Sequence, residues 1–175
     1  MDTQSVTENL PPYVEDLRKN FVLAMDSEDL TVTQRVGSAL AAALCCRQPQ
    51  AITEIEQLAA QHLDAKTLQA AKGAATMMAA NNIYWRFWYL VDDKEYLDIK
   101  PEFSESIFSR HGIAEVDFTC FVVAASAINN CAGCLKVHSR KLLKLGFTKA
   151  QVMHVVRIAA AVHSLAVTMA GRGTS

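Results

Sequence analysis

Two cysteines and a histidine lie within eight residues of one another, in the segment NCAGCLKVH that begins at Asn130. Asn is a common N-cap, so a helix beginning there, at about 100° per residue, places Cys131, Cys134 and His138 on one face. The i,i+3 spacing brings the two sulfurs close enough to bridge, and the i,i+4 spacing lets the imidazole reach Cys134. The segment therefore predicts a helix whose first two turns carry a dithiol and a base.

The position of the motif also suggests its chemistry. A thiol in the first turn of a helix lies near unpaired N–H groups and the positive end of the helix dipole, which stabilise a thiolate. His138 can accept the proton of Cys134 or, as a cation, hold the thiolate. A single CxxC can be a redox dithiol, half of a zinc site or a coincidence. Zinc usually needs a second spaced pair, which the adjacent Cys45 and Cys46 do not provide, so redox chemistry is favoured.

Other reactive or aromatic residues are more typical of packing than of chemistry. The remaining cysteines lie in apolar helical segments and are interpreted as core residues: Cys45, Cys46 and Cys120. The histidines of the last helix are interpreted as satisfied core or interface residues: His154 and His163. An aromatic run could line a substrate pocket, but core or interface is favoured: Tyr84, Trp85, Phe87, Trp88 and Tyr89. Basic residues after the motif complement the end of their helix and need no partner: Arg140, Lys141 and Lys144.

Composition indicates one globular domain over 1–175. Seventeen Lys and Arg against eighteen Asp and Glu give a net charge of -1, so no basic field exists to attract nucleic acid or an anionic membrane. No apolar run approaches the roughly 18 residues of a spanning helix, and the polar, acidic first residues do not resemble a signal peptide. We therefore expect a cytoplasmic protein, whose five cysteines are not a disulfide framework.

Apolar residues recur with helical period along almost the whole chain, which predicts an all-α fold. Residues 1–11 are expected to be loose, and 92–112 to be a connection with one short helix. Thr31 with Gln34 and Thr148 with Gln151 form capping boxes, and Asp64 is an N-cap. The predicted helices are Tyr13 to Met25, Thr31 to Pro49, Ala51 to Leu63, the segment after Asp64, Val116 to Ile128, Cys131 to Leu145 and Thr148 to Ala170.

An internal repeat is visible at an offset of 84 residues. The segment AAAL at 41–44 aligns with ASAI at 125–128, and Leu63-Asp64 aligns with Phe147-Thr148. In this register Arg47, Gln50 and Glu54 stand opposite Cys131, Cys134 and His138. The alignment predicts two copies of one helical unit, of which only the second carries the chemistry.

Two segments together resemble a known family. AAKGAATMMAANNIYWR at 70–86 and DFTCFVVAASAINNCAGCLKVHSRKL at 117–142 are similar to the AhpD alkylhydroperoxidase family, within the carboxymuconolactone decarboxylase-like superfamily. The similarity extends from about Thr31 to the end of the chain. It implies an all-helical fold with a duplicated helical unit, assembled as a homotrimer.

The resemblance implies an antioxidant thiol peroxidase or disulfide reductase. Such an enzyme reduces alkyl hydroperoxides, regenerates the peroxiredoxin AhpC, or does both, with electrons from a dihydrolipoyl protein and no bound cofactor, metal or haem. By motif position, Cys134 is the nucleophile that becomes a sulfenic acid, Cys131 the resolving thiol and proton donor, and His138 the proton relay. One alternative is a redox adaptor or sensor that exchanges disulfides without significant peroxidase activity. Another is a decarboxylase-like enzyme, which the intact CxxC disfavours.

Two positions depart from the family pattern. The family's relay glutamate falls at Thr119, and the histidine often found between the cysteines falls at Gly133. Glu115 and Asp117 are close in sequence but point elsewhere on a regular helix, so neither is assigned the relay role. These departures affect proton transfer during peroxide turnover more than disulfide exchange.

Overall fold

The computed structural model describes residues 3–8 and 10–171, apart from the side chains of Gln4 and Leu97. These residues form nine α-helices, two 3-10 helices and no strand, which confirms the all-α prediction. The 3-10 helices are Pro12–Val14 and Lys94–Asp98. The α-helices are α1 (Thr3–Thr7), α2 (Glu15–Asp26), α3 (Val32–Cys46), α4 (Pro49–His62), α5 (Ala65–Val91), α6 (Ile107–Arg110), α7 (Glu115–Ile128), α8 (Ala132–Lys144) and α9 (Lys149–Gly171).

Side-chain caps fix where several of these helices begin. In the first predicted capping box, the N–H of Gln34 donates to Thr31 Oγ1 at 3.2 Å, and the N–H of Thr31 donates to Gln34 Oε1 at 3.1 Å. The predicted box of Thr148 and Gln151 forms in the same way before α9. Asp64 caps α5 by accepting the N–H of Thr67 at 2.7 Å. Each such cap stabilises its helix by about 1 kcal/mol.

The N-terminal segment differs from the sequence expectation of a loose stretch over 1–11. Residues 3–7 form α1, which packs on α2 and α4, and Val6 and Leu10 are buried. Apolar side chains at these two positions are therefore held against the core. Residues 1, 2 and 9 lie outside the described residues. The 92–112 connection also contains more structure than predicted, a 3-10 helix and α6.

The predicted duplication is visible in the helix boundaries. Helices α7, α8 and α9 begin 83 or 84 residues after α3, α4 and α5 respectively. Two of the turns match as well, because Arg47 after α3 and Asn130 after α7 both have positive φ. The two halves therefore repeat the same three-helix unit.

Helices α3 and α7 form the central contact between the two units. Near their starts, Gln34 Nε2 donates to Asp117 Oδ1 at 2.8 Å, and near their ends Asn129 Nδ2 donates to Cys45 Sγ at 3.6 Å. The N-terminal end of α3 thus contacts the N-terminal end of α7, and the two C-terminal ends also contact each other. The two helices are therefore parallel. Both helices are largely buried between α5 and α9. The rigid pair positions the turn that leads from α7 into the cysteine motif.

Helix α9 is long and apolar enough, by length and composition, to cross a membrane. Most of its apolar window is buried inside the fold, however, and the core helix of a soluble protein passes the same test. Side chains such as Val155, Ile158 and Leu165 pack in the common core. The helix thus adds little evidence for a membrane span.

Candidate thiol–disulfide site

The turn between α7 and α8 places the two cysteines. Asn130, predicted as the N-cap, instead adopts the left-handed conformation with φ 53°, which asparagine tolerates better than most residues. Cys131 is the actual N-cap, and its sulfur accepts the backbone N–H of Cys134 at 3.3 Å. The Cys131 sulfur therefore lies at the positive end of α8, and Cys134 follows in the first helical turn.

Cys131 and Cys134 form a disulfide, with their Cα atoms 5.3 Å apart. Cys131 is fully buried, whereas Cys134 is 5% exposed. The structure therefore brings together the two cysteines that the sequence singled out and gives them unequal access. Across the described chain, no three His, Cys, Asp or Glu side chains are grouped as metal ligands.

A cavity of about 720 Å³ opens beside Cys134, between α5, α6 and α8. His138 lines it together with Cys134, while Cys131 does not. Its apolar walls are Met78, Trp85, Trp88, Tyr89, Phe108 and Val137. Its charged residues are Glu105, Lys136, Arg140 and Lys141. The aromatic run of α5, interpreted from sequence as core or interface, therefore contributes three side chains to the cavity wall.

His138 has a partly buried imidazole that faces this cavity. Its ring stacks on Phe108 with centroids 6.0 Å apart and planes at 6°. Burial, reinforced by the nearby charge of Lys141, lowers the pKa of His138 to about 4. No carboxylate hydrogen-bonds this ring within the described residues. At neutral pH the ring is therefore uncharged.

The depressed pKa of His138 predicts a loss of stability in acid. In the unfolded chain this histidine takes up a proton near pH 6.5, whereas in the folded chain it does so only near pH 4. The unfolded state therefore binds more protons in that window, and the free energy of unfolding falls as pH drops from about 6.5 to 4. Because the imidazole is only partly buried, solvent screening reduces the size of this effect. In the His138→Gln variant, the acid-induced fall in the free energy of unfolding should be smaller than in the native protein by about 1 to 2 kcal/mol. Urea unfolding of the oxidised protein at pH 7 and pH 4.5 measures it.

His62→Gln is the matched control for this prediction, because His62 is exposed at the end of α4. Its acid destabilisation should equal that of the native protein. The same acid loss in the His138→Gln and native proteins would contradict a depressed pKa at His138.

Glu115 does not line the cavity itself, but it forms an ion pair with Lys141, which does. Its carboxylate pairs with the Lys141 ammonium and with His111 Nε2, the latter at 2.9 Å. The hydrogen bond from Lys141, followed by that from His111, holds the pKa of Glu115 below its usual value. The expectation that Lys141 needs no partner is therefore wrong. Glu115 is not bonded to His138, in agreement with its exclusion from the relay role.

Thr119 does not supply a carboxylate or a proton route to His138. Its side chain is buried, and its hydroxyl donates to the backbone carbonyl of Glu115 at 2.7 Å. The cavity instead contains the carboxylate of Glu105, which accepts a 2.7 Å hydrogen bond from Asn81 Nδ2. Sequence reasoning missed Glu105, because nothing in its loop segment predicts which helix the loop covers.

Gly133 leaves room for an aromatic ring. A Cβ atom at this position would lie 2.9 Å from Cδ2 of Tyr89. The Tyr89 ring therefore packs over the first turn of α8 in the space that a side chain between the two cysteines would need. It also borders the cavity next to Cys134.

The other cysteines lie apart from this cavity. Cys120 is buried, as predicted. Cys45 and Cys46 are half-buried and pack against the edge of the hydrophobic core, so the core interpretation holds only in part. They also line a separate cavity of about 420 Å³ with Arg47 and Arg86. Burial and the neighbouring Cys45 raise the pKa of Cys46 to about 11, so at neutral pH this thiol is protonated.

The two histidines of α9 have different environments. His154 is buried, with Nε2 2.8 Å from the carbonyl oxygen of Ala24, which confirms a core position. Its Nδ1 lies 3.5 Å from Asp29 Oδ2 and has no hydrogen-bond partner among the described residues, so the ring is only partly satisfied. His163 is exposed, and its Nδ1 lies 3.6 Å from the sulfur of Cys46. Neither contributes to the cavity that contains Cys134.

Known proteins resemble this chain over nearly its whole length. Residues 95–173 match the carboxymuconolactone decarboxylase family. A protein named alkyl hydroperoxide reductase AhpD from Coxiella burnetii is 42% identical over 93% of this chain and 94% of its own length. Proteins of the same name from Methylobacterium sp. and Frankia alni are 37% and 34% identical, over 97% and 100% of this chain and 96% and 95% of their own lengths.

These matches cover both helical units as well as the cysteine motif. Each of the three relatives is more than 30% identical over more than nine-tenths of both chains. The all-helical fold and the CxxCxxxH motif at the start of α8 agree with the same assignment. The chain therefore belongs to the AhpD family, within the carboxymuconolactone decarboxylase-like superfamily.

Proposed function

We propose that this protein is a peroxide-acting oxidoreductase that reduces alkyl hydroperoxides with the Cys131–Cys134 dithiol. The names of its AhpD relatives support the reaction class. The observation that carries the assignment of roles is the cavity, which contains Cys134 and the neutral His138 but not Cys131. A hydroperoxide in this cavity meets one sulfur of the pair and one base.

In the first step, Cys134 is the nucleophile. His138 accepts the thiol proton, and the thiolate attacks the terminal oxygen of the hydroperoxide. The O–O bond breaks, an S–O bond forms, and the departing alkoxide takes up the proton to leave as an alcohol. Cys134 is oxidised by two electrons to a sulfenic acid, and the peroxide is reduced by the same two.

In the second step, Cys131 resolves the sulfenic acid. Its sulfur attacks the Cys134 sulfur, the S–O bond breaks, and the hydroxyl leaves as water with the proton of Cys131. The product is the Cys131–Cys134 disulfide described above, at the start of α8. An external dithiol then reduces the disulfide through a mixed disulfide on Cys134, the cysteine that lines the cavity.

The same family membership supports proposals for partners and location. We place the protein in the cytoplasm as a homotrimer, with no bound cofactor. A dihydrolipoyl acyltransferase-type protein is the proposed electron donor, and an AhpC-like peroxiredoxin the proposed acceptor. Exposed apolar side chains on the last turns of α5, such as Phe87 and Leu90, provide surface that subunit contacts could bury.

The experiment that tests this function is hydroperoxide-dependent oxidation of dihydrolipoamide by the pure protein. Sustained turnover, dependent on both cumene hydroperoxide and the protein, is the expected result. Turnover requires all three steps above, so its presence also shows that Thr119 does not disable the enzyme. Failure to oxidise dihydrolipoamide under any peroxide would contradict direct peroxidase activity.

A second candidate function is a redox adaptor that passes electrons to a partner. The observation that favours it is the absence, within the described residues, of a carboxylate bonded to His138, which limits proton transfer to the leaving alkoxide. In such an adaptor, dihydrolipoamide would reduce the disulfide once, but sustained oxidation of dihydrolipoamide would require both a peroxiredoxin and a hydroperoxide.

A further inference from the structure

We propose that the Cys134 cavity is built for hydroperoxides of long-chain carboxylic acids, with Lys136 and Arg140 binding the carboxylate at its rim. The inference rests on the proposed function, since it names the substrate class of the same site. The observation behind it is that one cavity combines aromatic walls, two cations without an ion-pair partner among the described residues, and Cys134.

The walls of the cavity suit an apolar chain. Six of its lining side chains are aromatic or aliphatic, and its volume of about 720 Å³ lies within the usual range for small-molecule pockets. Trp85 and Trp88 pack edge to face with ring centroids 4.6 Å apart and so present a continuous apolar surface. Tyr89 and Val137 extend this surface outward, because they are 56% and 63% exposed. An acyl chain would cover apolar surface that water now contacts.

The charges at the rim suit an anion. Lys136 and Arg140 are one helical turn apart on α8, line the cavity and are exposed. Within the described residues, neither has a carboxylate at ion-pair distance. Lys141 also lines the cavity, but Glu115 already pairs with it. Two cations therefore remain available to a ligand.

Glu105 is the opposing charge in the cavity. Its carboxylate is held by Asn81 at 2.7 Å and is not paired with either rim cation. Two available cations against one anion leave the lining positive, so a bound carboxylate is favoured overall. Removing the Glu105 charge should strengthen binding of an anion, and removing a rim cation should weaken it. Opposite effects of these two kinds of substitution on binding are expected only if the cavity recognises the charge of the ligand.

The chemistry of such a substrate is that of the proposed reaction. The acyl chain lies along the aromatic wall, the carboxylate remains at the rim, and the hydroperoxide carbon lies beside Cys134. The O–O bond breaks, the dithiol supplies two electrons, and the products are a hydroxy acid, water and the Cys131–Cys134 disulfide. No oxidant or reductant other than the hydroperoxide and the dithiol is needed.

Binding can be measured separately from turnover, because both tryptophans of the chain, Trp85 and Trp88, line the cavity. Tryptophan fluorescence, excited selectively over the four tyrosines of the chain, therefore comes from side chains of this cavity. We titrate the oxidised protein with dodecanoate and with methyl dodecanoate, neither of which carries a peroxide. Dodecanoate should bind more tightly than the ester, and the double variant Lys136→Gln/Arg140→Gln should weaken dodecanoate about tenfold.

Two further variants sharpen the test. Glu105→Gln should tighten dodecanoate binding severalfold, while Lys144→Gln, which removes one positive charge of α8 outside the cavity, should leave it unchanged. The ester should respond little to any of these variants. Equal binding of acid and ester, or an equal effect of Lys144→Gln and the double variant, would overturn the proposal.

The corresponding kinetic test uses 13-hydroperoxyoctadecadienoate and its methyl ester. The ratio of kcat/KM for acid to ester should fall about tenfold in the double variant. If dodecanoate binds as expected but neither hydroperoxide is turned over, the proposed peroxidase function fails and the carboxylate site stands. If both are turned over with a ratio that the double variant does not change, the substrate inference fails and the peroxidase stands.

A protein partner with an acidic surface is the competing occupant of the rim. In that case, the double variant would slow reduction of the disulfide by a lipoylated protein but not by free dihydrolipoamide. Together with unchanged binding of dodecanoate, this result would overturn the carboxylate site.

Discussion

Replacing Cys134 by serine is expected to lower hydroperoxide turnover by about a thousandfold or more, because a hydroxyl has neither the acidity nor the nucleophilicity of a thiol. Cys134 is the only cysteine among the residues that line the cavity, so no second thiol of the lining can replace it there. The measurement is the initial rate of dihydrolipoamide oxidation with cumene hydroperoxide. Cys46→Ser is the matched control, since Cys46 is a half-buried cysteine of a different cavity, and it should retain the native rate.

The contrasting variant is Cys131→Ser, which keeps the nucleophile and removes the resolving thiol. A single equivalent of hydroperoxide should oxidise Cys134 to a sulfenic acid that a dimedone adduct reveals by mass. No disulfide should form, and multiple turnover should be lost. Equal activity in the Cys134→Ser and Cys131→Ser variants would contradict the assigned order of the two sulfurs.

The local chemistry of the site was accessible from sequence because helical spacing is simple geometry. The i,i+3 and i,i+4 spacing of the motif predicted a close pair of sulfurs, and the pair forms one helical turn of α8. The N-cap was assigned one residue too early, because Asn130 is suited equally to a cap and to the left-handed turn that it adopts. Spacing alone does not distinguish these two uses of asparagine.

The walls of the cavity could not be predicted, because they come from contacts between distant segments. Phe108 and Glu105 belong to the connection before α7, and neither carries a periodic pattern that shows which helix it covers. The aromatic residues of α5 were visible as a group, but whether they face core or solvent depends on that connection. Lys141 is different, since its i,i+3 position relative to His138 does place it on the same face.

The fold itself was largely predictable, because the caps and the repeat point to the same boundaries. Thr31, Asp64 and Thr148 each cap the helix that the sequence assigned to them. The offset of 84 residues appears again as a physical contact, between Cys45 and Asn129. What the repeat did not reveal is that the equivalent helices α3 and α7 pack against each other along their length.

The close packing of α3 on α7 makes Gly37→Ala the substitution with the largest expected effect on stability. A Cβ atom at Gly37 would lie 2.2 Å from both Cε1 and Cζ of Phe121, the equivalent position of the second unit. The Phe121 ring is fully buried, and because protein interiors are close-packed, moving it displaces neighbouring core side chains. We expect a loss of about 3 kcal/mol, which lowers Tm by about 6 to 12 °C for a domain of this size. Thermal and urea unfolding of the oxidised protein measure it.

A double-mutant cycle separates this steric contact from the general effect of a substitution in a helix. In a Phe121→Leu background the side chain lacks the Cε1 and Cζ atoms, so Gly37→Ala should cost at least about 1 kcal/mol less than in the native protein. Gly73→Ala in α5 is the matched control. Its Cβ would meet only the side chain of Ile107, at 3.1 Å, which is half-buried and can shift. This control should change stability by less than about 1 kcal/mol, because the helix propensity of alanine offsets the contact. Additive costs in the cycle would show that the two equivalent helices do not meet at Gly37 and Phe121.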